Sequence, residues 1–190
     1  NDIRFQIQSH FASAAARGDF ATEATERLRL ASEFQATETN RVLGQKYAAQ
    51  EAFVKAGQFQ SAIDILLELA ASEPDVAVVY SRYNDAWKIA SAENMMNSPT
   101  LAANIEQEFI DKYPSSNQAF LLRINKLVEM EKNPAQIIAA ADGYIQIHDE
   151  VKASKVDAGD TQSSDLFEEA IRLYALAGNK TKEFELRNQF

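Results

Sequence analysis

The side chains that could perform acid–base or metal chemistry are scattered along this sequence. His10 and His148 are its two histidines, and they stand far apart in the chain. Cysteine is absent, which excludes disulfides, thiol redox chemistry, cysteine–zinc sites and cysteine nucleophiles. Carboxylates are abundant, but pairs such as Glu168 and Glu169 have the spacing of solvent-facing helix positions. The sequence therefore predicts no catalytic residues, no metal site and no bound cofactor.

Sequence motifs of common enzymes are missing as well. The chain has no Gly-rich phosphate loop, no nucleophile elbow and no paired-histidine motif of a metalloprotease. The acidic residues of segment 152–164 lack the alternating ligands and the closing Glu of a calcium loop. His148 precedes Asp149 and Glu150, which predicts a solvated helix end rather than a site. We expect a protein that is not an enzyme.

Composition and charge limit the classes of partner. The chain has 190 residues, enough for one domain with a substantial core, and 46% of them are hydrophobic. Its 19 basic and 28 acidic residues give a net charge of −9, which disfavours nucleic acid and favours a basic or neutral partner surface. No apolar run approaches the ~18 residues that span a bilayer, so we expect no direct membrane insertion.

Helical periodicity runs through almost the whole chain, and no convincing strand pattern appears. Between residues 59 and 70, apolar side chains recur at helical spacing on one stripe: Phe59, Ala62, Ile63, Leu66, Leu67 and Ala70. With similar patterns elsewhere, the sequence predicts an all-α protein of about ten helices.

Short breaks separate these helices. One set carries Gly or Asn, which suit the left-handed residue just past a helix: Gly18, Gly57, Asn97, Asn133 and Gly178. A second set lies between them, at residues 37–40, at Glu73-Pro74-Asp75 and at Tyr113-Pro114-Ser115-Ser116. Residues 152–164 are predicted to form a longer solvated loop. The breaks of the first set recur at 39, 40, 36 and 45 residues, which predicts helix-pair repeats in a single domain, with units of roughly 1–37, 38–74, 75–114, 115–155 and 160–190.

The second unit carries a family resemblance. Its residues Phe53, Gly57, Phe59, Ala62, Leu66 and Pro74 stand at the spacing characteristic of tetratricopeptide repeats, which the chain resembles. Gln50 departs from that pattern, and the other units match it less closely; helical repeats of another kind are the alternative. The resemblance implies a right-handed superhelical solenoid of antiparallel helix hairpins, whose concave surface, lined by the first helix of each pair, binds a protein or peptide.

The functional expectation is a non-catalytic interaction module or scaffold. The alternative is a helical accessory domain of a larger enzyme or assembly. Tyr80, Tyr83, Trp87 and Ala90 share one helix face, which indicates a core stripe, with an aromatic groove wall as the competing interpretation. The predicted partner-binding residues are the polar neighbours on that helix together with two of its aromatic residues: Arg82, Asn84, Lys88, Tyr83 and Trp87.

Location and assembly are further expectations. The stretch Tyr113-Pro114-Ser115-Ser116 resembles the junction between repeats in bacterial envelope tetratricopeptide proteins, and with the absent cysteines it favours a periplasmic or envelope-associated bacterial protein. A cytoplasmic location is the alternative. Open solenoid ends need covering, which predicts a homodimer without naming its site. In the last helix, Phe184, Leu186 and Phe190 either pack inward as a cap or meet a continuing chain.

Overall fold

A computed structural model describes residues 2–34 and 38–189. These residues form ten α-helices and no strand, which confirms the all-α prediction. The helices are α1 (Ile3–Ala16), α2 (Phe20–Ser32), α3 (Thr39–Lys55), α4 (Phe59–Ala71), α5 (Val76–Ser91), α6 (Pro99–Lys112), α7 (Asn117–Glu131), α8 (Ile137–Lys152), α9 (Ser163–Leu176) and α10 (Lys180–Arg187).

Three of the turns between helices share one geometry. Gly18, Gly57 and Gly178 have φ values of 72°, 73° and 73°, in the left-handed region that glycine enters without steric cost. In each turn the N–H after the glycine donates to the carbonyl five residues earlier: Asp19 to Ala14, Gln58 to Phe53 and Asn179 to Tyr174. Asn97 also has a positive φ, 46°, but α5 already ends at Ser91, so the prediction that Asn97 directly follows a helix is wrong. The recurrent turn makes α1–α2, α3–α4 and α9–α10 helix hairpins of the same kind.

The turn at Asn133 differs from the prediction. Asn133 does not adopt a positive φ, because a following proline restricts the residue before it to other backbone regions. Its side-chain oxygen instead accepts from the N–H of Ala135 at 3.1 Å, and its carbonyl accepts from the N–H of Gln136 at 2.8 Å. One side-chain turn and one backbone turn thus replace the left-handed residue.

Other predicted breaks are confirmed where the structure describes them. Asp75 and Ser116 cap α5 and α7, accepting from the N–H groups of Ala77 and Ala119. The break at 37–40 lies partly outside the described residues, and α3 begins within it at Thr39. The predicted long loop separates α8 from α9, and its Asp157 N–H donates to the carbonyl of Ser115 at 3.0 Å.

The chain divides into two compact units, Asn1–Gln107 and Glu108–Phe190, and the boundary falls inside α6. In the first unit, each helix from α1 to α5 packs on the next along the chain. The small residues Ala24 and Ala62 are fully buried, as close helix crossings require, and Phe53 and Leu66 are buried as predicted. The prediction of one domain stays a prediction.

In the second unit, each helix from α7 to α10 packs on the next. Its core contains the rings of Phe120, Tyr144, Phe167 and Tyr174. In α10, Leu186 joins this core, whereas Phe184 is 69% exposed. Of the two alternatives for this helix, inward packing holds for Leu186 and not for Phe184, and Phe190 lies outside the described residues.

Candidate functional site

The five predicted partner-binding residues all lie on α5 but differ in exposure. Arg82 and Tyr83 are buried, at 6% and 4% relative exposure. Asn84 and Trp87 are half-buried, and Lys88 is exposed with its ammonium 2.9 Å from Asp85. Tyr83 and Ala90 belong to the buried core, as the core-stripe interpretation predicted. The structure does not bring the five side chains together on one exposed surface, and their role in binding stays a prediction.

Arg82 is the centre of a network that joins three helices. Its Nε donates to the hydroxyl of Tyr47 on α3 at 2.9 Å. One Nη donates to the carbonyl of Leu69 on α4, and the other donates at 2.8 Å to Glu73, just after α4. We call these four residues the Arg82 network. Since each of its three guanidinium nitrogens donates to an internal acceptor, Arg82 holds Tyr47 and the α3–α4 hairpin in place.

Beside this network lies an exposed, uncharged strip on α3 and α5. Tyr47 and Val78 are each 37% exposed, and Gly44 and Ser81 are exposed as well. The hydrogen bond between Arg82 and Tyr47 connects α5 to α3. Gly44 lies one turn before Tyr47 on α3, and Val78 lies one turn before Arg82 on α5, so both residues are next to this connection. We call Gly44, Tyr47, Val78 and Ser81 the α3–α5 face. Both helices are the first of their predicted pairs.

Gly44 has no role in the internal packing of this face. It lies in the interior of α3, where glycine costs about 1 kcal/mol relative to alanine. A Cβ built at Gly44 would meet no atom within 4 Å. Internal packing therefore does not require a glycine, and the backbone at this point is open to close approach from outside.

Most of the charges that flank the face are paired. The ammonium of Lys46 lies 2.8 Å from the carboxylate of Glu68, and Arg41 lies 2.9 Å from Glu38. The face has one exposed carboxylate at its edge, Glu51, one turn after Tyr47, whereas Lys88 and Asp85 are also paired. Its chemistry is that of an aromatic ring, a small aliphatic side chain and a bare helix backbone, which suits an uncharged stretch of a partner chain.

Sequence reasoning missed Tyr47, although a signal exists. The buried side chains of α3 are Ala49, Ala52 and Phe53, and Tyr47 falls on the opposite side of the helical wheel. An aromatic residue outside the apolar stripe has no core to enter. Such a residue either lies exposed or finds a polar partner, and Tyr47 does both.

The two histidines lie in different units. His10 is exposed, with its ring 3.7 Å from Glu26. The prediction that His148 lies at a solvated helix end is wrong, because its side chain is only 12% exposed. Its Nδ1 lies 2.6 Å from the carbonyl of Ser163, and its ring is 4.9 Å from that of Phe167. His148 therefore fastens the end of α8 to the start of α9, an aspect of tertiary packing that its acidic neighbours in sequence do not reveal.

Three titratable side chains of the second unit have pKa values that burial or hydrogen bonds move away from neutrality. Tyr174 donates to Asp142, and Tyr144 donates to Glu131 at 2.9 Å. Burial, followed by the hydrogen bond to its carboxylate, raises the pKa of each phenol well above its usual range. A hydrogen bond from Arg123 lowers the pKa of Glu150. These shifts keep the phenols neutral and the carboxylate ionised, whereas a general base or acid needs a pKa near neutrality.

Comparison with known proteins gives no further guidance, since no family model, no curated protein and no solved structure matches the chain.

Among residues 2–34 and 38–189, no group of three or more His, Asp or Glu side chains could hold a metal ion. None of the described helices has the length and apolarity needed to cross a membrane.

Proposed function

We propose that this chain is a non-catalytic interaction module, a solenoid of tetratricopeptide-like hairpins that binds a protein or peptide partner. The observation that carries the proposal is the α3–α5 face, an exposed uncharged strip on two first helices of hairpins. Such helices line the binding surface in the family that the sequence resembles.

Two features support the solenoid architecture. The same glycine turn closes the hairpins at Gly18, Gly57 and Gly178. In addition, α2, α4 and α8 each pack against the helix that follows as well as against their own hairpin partner. Repetition of one hairpin with contacts between sequence neighbours is the organisation of a helical repeat stack.

Gly44 supports a partner at the α3–α5 face. A glycine in the interior of a helix lowers the stability of the fold. At Gly44 no neighbouring atom occupies the space that a Cβ would fill, so the packing within the chain gains nothing from a glycine there. A partner backbone lying across α3 would supply that benefit, because a side chain at this position would hold it away. Tyr47, fixed by the Arg82 network, offers a rigid aromatic contact of the kind enriched in binding hot spots.

Two features of the sequence indicate the compartment and the surface charge of the partner. The Tyr113-Pro114-Ser115-Ser116 junction and the absence of cysteine favour a bacterial envelope protein that meets its partner in the periplasm. The net charge of −9 favours a partner with a neutral or basic surface.

The test is affinity capture from a lysate of the source organism, with crosslinking and mass spectrometry. Wild type is compared with Gly44→Gln, which fills the α3–α5 face, and with Ala139→Gln as a matched control at an exposed position of α8. We expect wild type and Ala139→Gln to retain one protein crosslinked near Tyr47, and Gly44→Gln to retain at least ~10-fold less.

Equal retention by Gly44→Gln would exclude the α3–α5 face as the binding surface. Recovery of nothing above background with wild type would contradict the interaction module itself. Folding is not a confounding factor, because replacing an unstrained helix-interior glycine that has free space around it raises stability, by about 0.5–1 kcal/mol for alanine.

A further inference from the structure

One carboxylate at the edge of the α3–α5 face has no ion pair. Glu51 lies on α3 one turn after Tyr47 and is exposed. The nearest basic residue along the helix, Lys55, holds its ammonium 5.8 Å from the centre of the Phe20 ring on α2. Within residues 2–34 and 38–189, no ion pair or side-chain hydrogen bond engages the Glu51 carboxylate. The uncharged strip therefore ends in a negative charge that no neighbour within the chain balances.

The hydroxyl of Tyr47 is a hydrogen-bond donor that the chain itself leaves unused. Arg82 Nε donates to the Tyr47 oxygen at 2.9 Å, and a phenol that accepts in this way still has its own proton to donate. No acceptor for that proton occurs in the part of the chain that the structure describes. Since the buried Arg82 holds the oxygen in place, Tyr47 offers a positioned O–H donor to an acceptor from outside.

Gly44, Tyr47 and Glu51 follow one another at successive turns on the exposed side of α3. The seven residues from Gly44 to Glu51 correspond to about 10.5 Å of helix. An extended chain covers this distance in about three residues. One short segment could therefore place its backbone over Gly44, a carbonyl at Tyr47 and a side chain at Glu51.

We propose that the α3–α5 face binds an extended segment of a partner protein that has a lysine or arginine at its Glu51 end. The backbone of the segment crosses α3 at Gly44, one of its carbonyls accepts from the Tyr47 hydroxyl, and its basic side chain pairs with Glu51. This inference rests on the proposed function, because it specifies the ligand chemistry of the same face.

Backbone chemistry favours an extended segment over a helix. The carbonyls of a helix accept from its own N–H groups, and its side chains hold its backbone away from a neighbouring helix. An extended segment presents carbonyls that are free to accept from Tyr47, and its backbone can approach the open space at Gly44.

Charge complementarity favours a basic segment over an acidic one. The basic side chains around the face already pair with carboxylates of the chain: Arg41, Lys46 and Lys88. An acidic segment would find no unpaired cation there and would be repelled by Glu51. The net charge of −9 acts in the same direction at longer range.

The probe is a library of short random peptides displayed on phage, selected in parallel on wild type and on two charge-reversed variants. Glu51→Lys reverses the charge beside the face, and Glu168→Lys makes the same change at an exposed position of α9 in the other unit. Wild type and Glu168→Lys should select peptides with a lysine or arginine at the end of an uncharged stretch. Glu51→Lys should select aspartate or glutamate at that position.

Fluorescence anisotropy of one labelled peptide selected on wild type gives the affinities. Glu51→Lys should weaken binding ~5–10-fold at low salt, because attraction becomes repulsion, and by less in ~0.5 M salt. Tyr47→Phe, which lacks the donor, should weaken binding ~3–10-fold at any salt concentration. Glu168→Lys should change the affinity by less than ~2-fold.

The outcomes separate this inference from the proposed function. Selected peptides that Gly44→Gln no longer binds, but that share no basic residue or bind Glu51→Lys equally well, would overturn the inference and leave the α3–α5 face as the binding surface. If wild type selects no peptide, or if Gly44→Gln binds the selected peptides as well as wild type does, both the face and the inference are contradicted.

Discussion

The two units fasten a helix to the preceding hairpin in different ways. In the first unit, the Arg82 guanidinium on α5 reaches both Tyr47 on α3 and Glu73 at the end of α4. In the second unit, α9 uses two side chains: Arg172 lies 2.5 Å from Glu131 at the end of α7, and Tyr174 donates to Asp142 on α8. In the first unit one arginine thus reaches two preceding elements, whereas in the second an arginine and a tyrosine each reach one.

The two arginines also differ in how much of each side chain is exposed to solvent. The Arg82 side chain is 7% exposed, whereas that of Arg172 is 50% exposed. Removing a buried charge leaves its partners without water to replace it, while an exposed charge is readily replaced by solvent. The number of hydrogen bonds is similar for the two arginines. We therefore expect burial, rather than bond count, to decide what each contributes.

The largest expected effect is that of Arg82→Leu. The substitution removes the guanidinium from the Tyr47 hydroxyl, the Leu69 carbonyl and the Glu73 carboxylate, which should lower the free energy of unfolding by about 3 kcal/mol. The Leu69 carbonyl keeps only the Ser72 hydroxyl as a side-chain donor. Urea unfolding followed by the fluorescence of Trp87, the single tryptophan, measures this loss within α5 itself. Lys88→Ala on the same helix is the control and should change stability by less than ~0.5 kcal/mol. A loss below ~1 kcal/mol for Arg82→Leu would show that the network is not the main polar connection of α5.

An intermediate effect is expected for Tyr174→Phe. Losing one buried hydrogen bond should cost about 1–1.5 kcal/mol at pH 7. Burial and the Asp142 bond raise the pKa of Tyr174 in the folded protein above its ordinary 10.0. The resulting stabilisation is complete below pH 10 and declines as the pH rises toward the raised folded pKa.

Unfolding curves between pH 7 and pH 11 provide the measurement. The stability difference between wild type and Tyr174→Phe should narrow above pH 10, because only wild type carries this titrating phenol. A constant difference over the whole range would contradict the account of Tyr174.

The smallest expected effect is that of Arg172→Gln. Although this arginine lies close to both Glu131 and Glu169, it is half exposed, so its loss should cost no more than ~1 kcal/mol. The cost should shrink further in ~1 M salt, which screens exposed ion pairs. If Arg172→Gln destabilises the protein as much as Arg82→Leu does, burial does not govern the contrast between the units.

Local patterns in the sequence are sufficient to predict most of the backbone. The apolar stripe of residues 59–70 predicts α4, and the left-handed turns at Gly18, Gly57 and Gly178 follow from residue type. At Asn133, residue type is misleading because Pro134 restricts the backbone before it. Asp75 caps α5 as its position after Pro74 predicts.

Side-chain partners far along the chain are not predictable in this way. Arg82 bonds with Tyr47 at a separation of 35 residues, and no local pattern joins the two. The same limit applies to His148, whose contact with Ser163 arises from the packing of α9 on α8. The α3–α5 face depends on such a distant contact, so the sequence places the predicted binding residues on α5 and does not predict that exposed residues of α3 lie beside them.

The central proposal is that the hairpins stack as in a helical repeat protein, so that each hairpin is stabilised mainly by its neighbours along the sequence. Hydrogen–deuterium exchange of Arg82→Leu, resolved helix by helix, tests this most directly. The account predicts faster exchange in α3, α4 and α5 and unchanged exchange in α8 and α9, because stability in a repeat stack comes from nearest-neighbour contacts. Equal acceleration in α3–α5 and in α8–α9 would contradict the account.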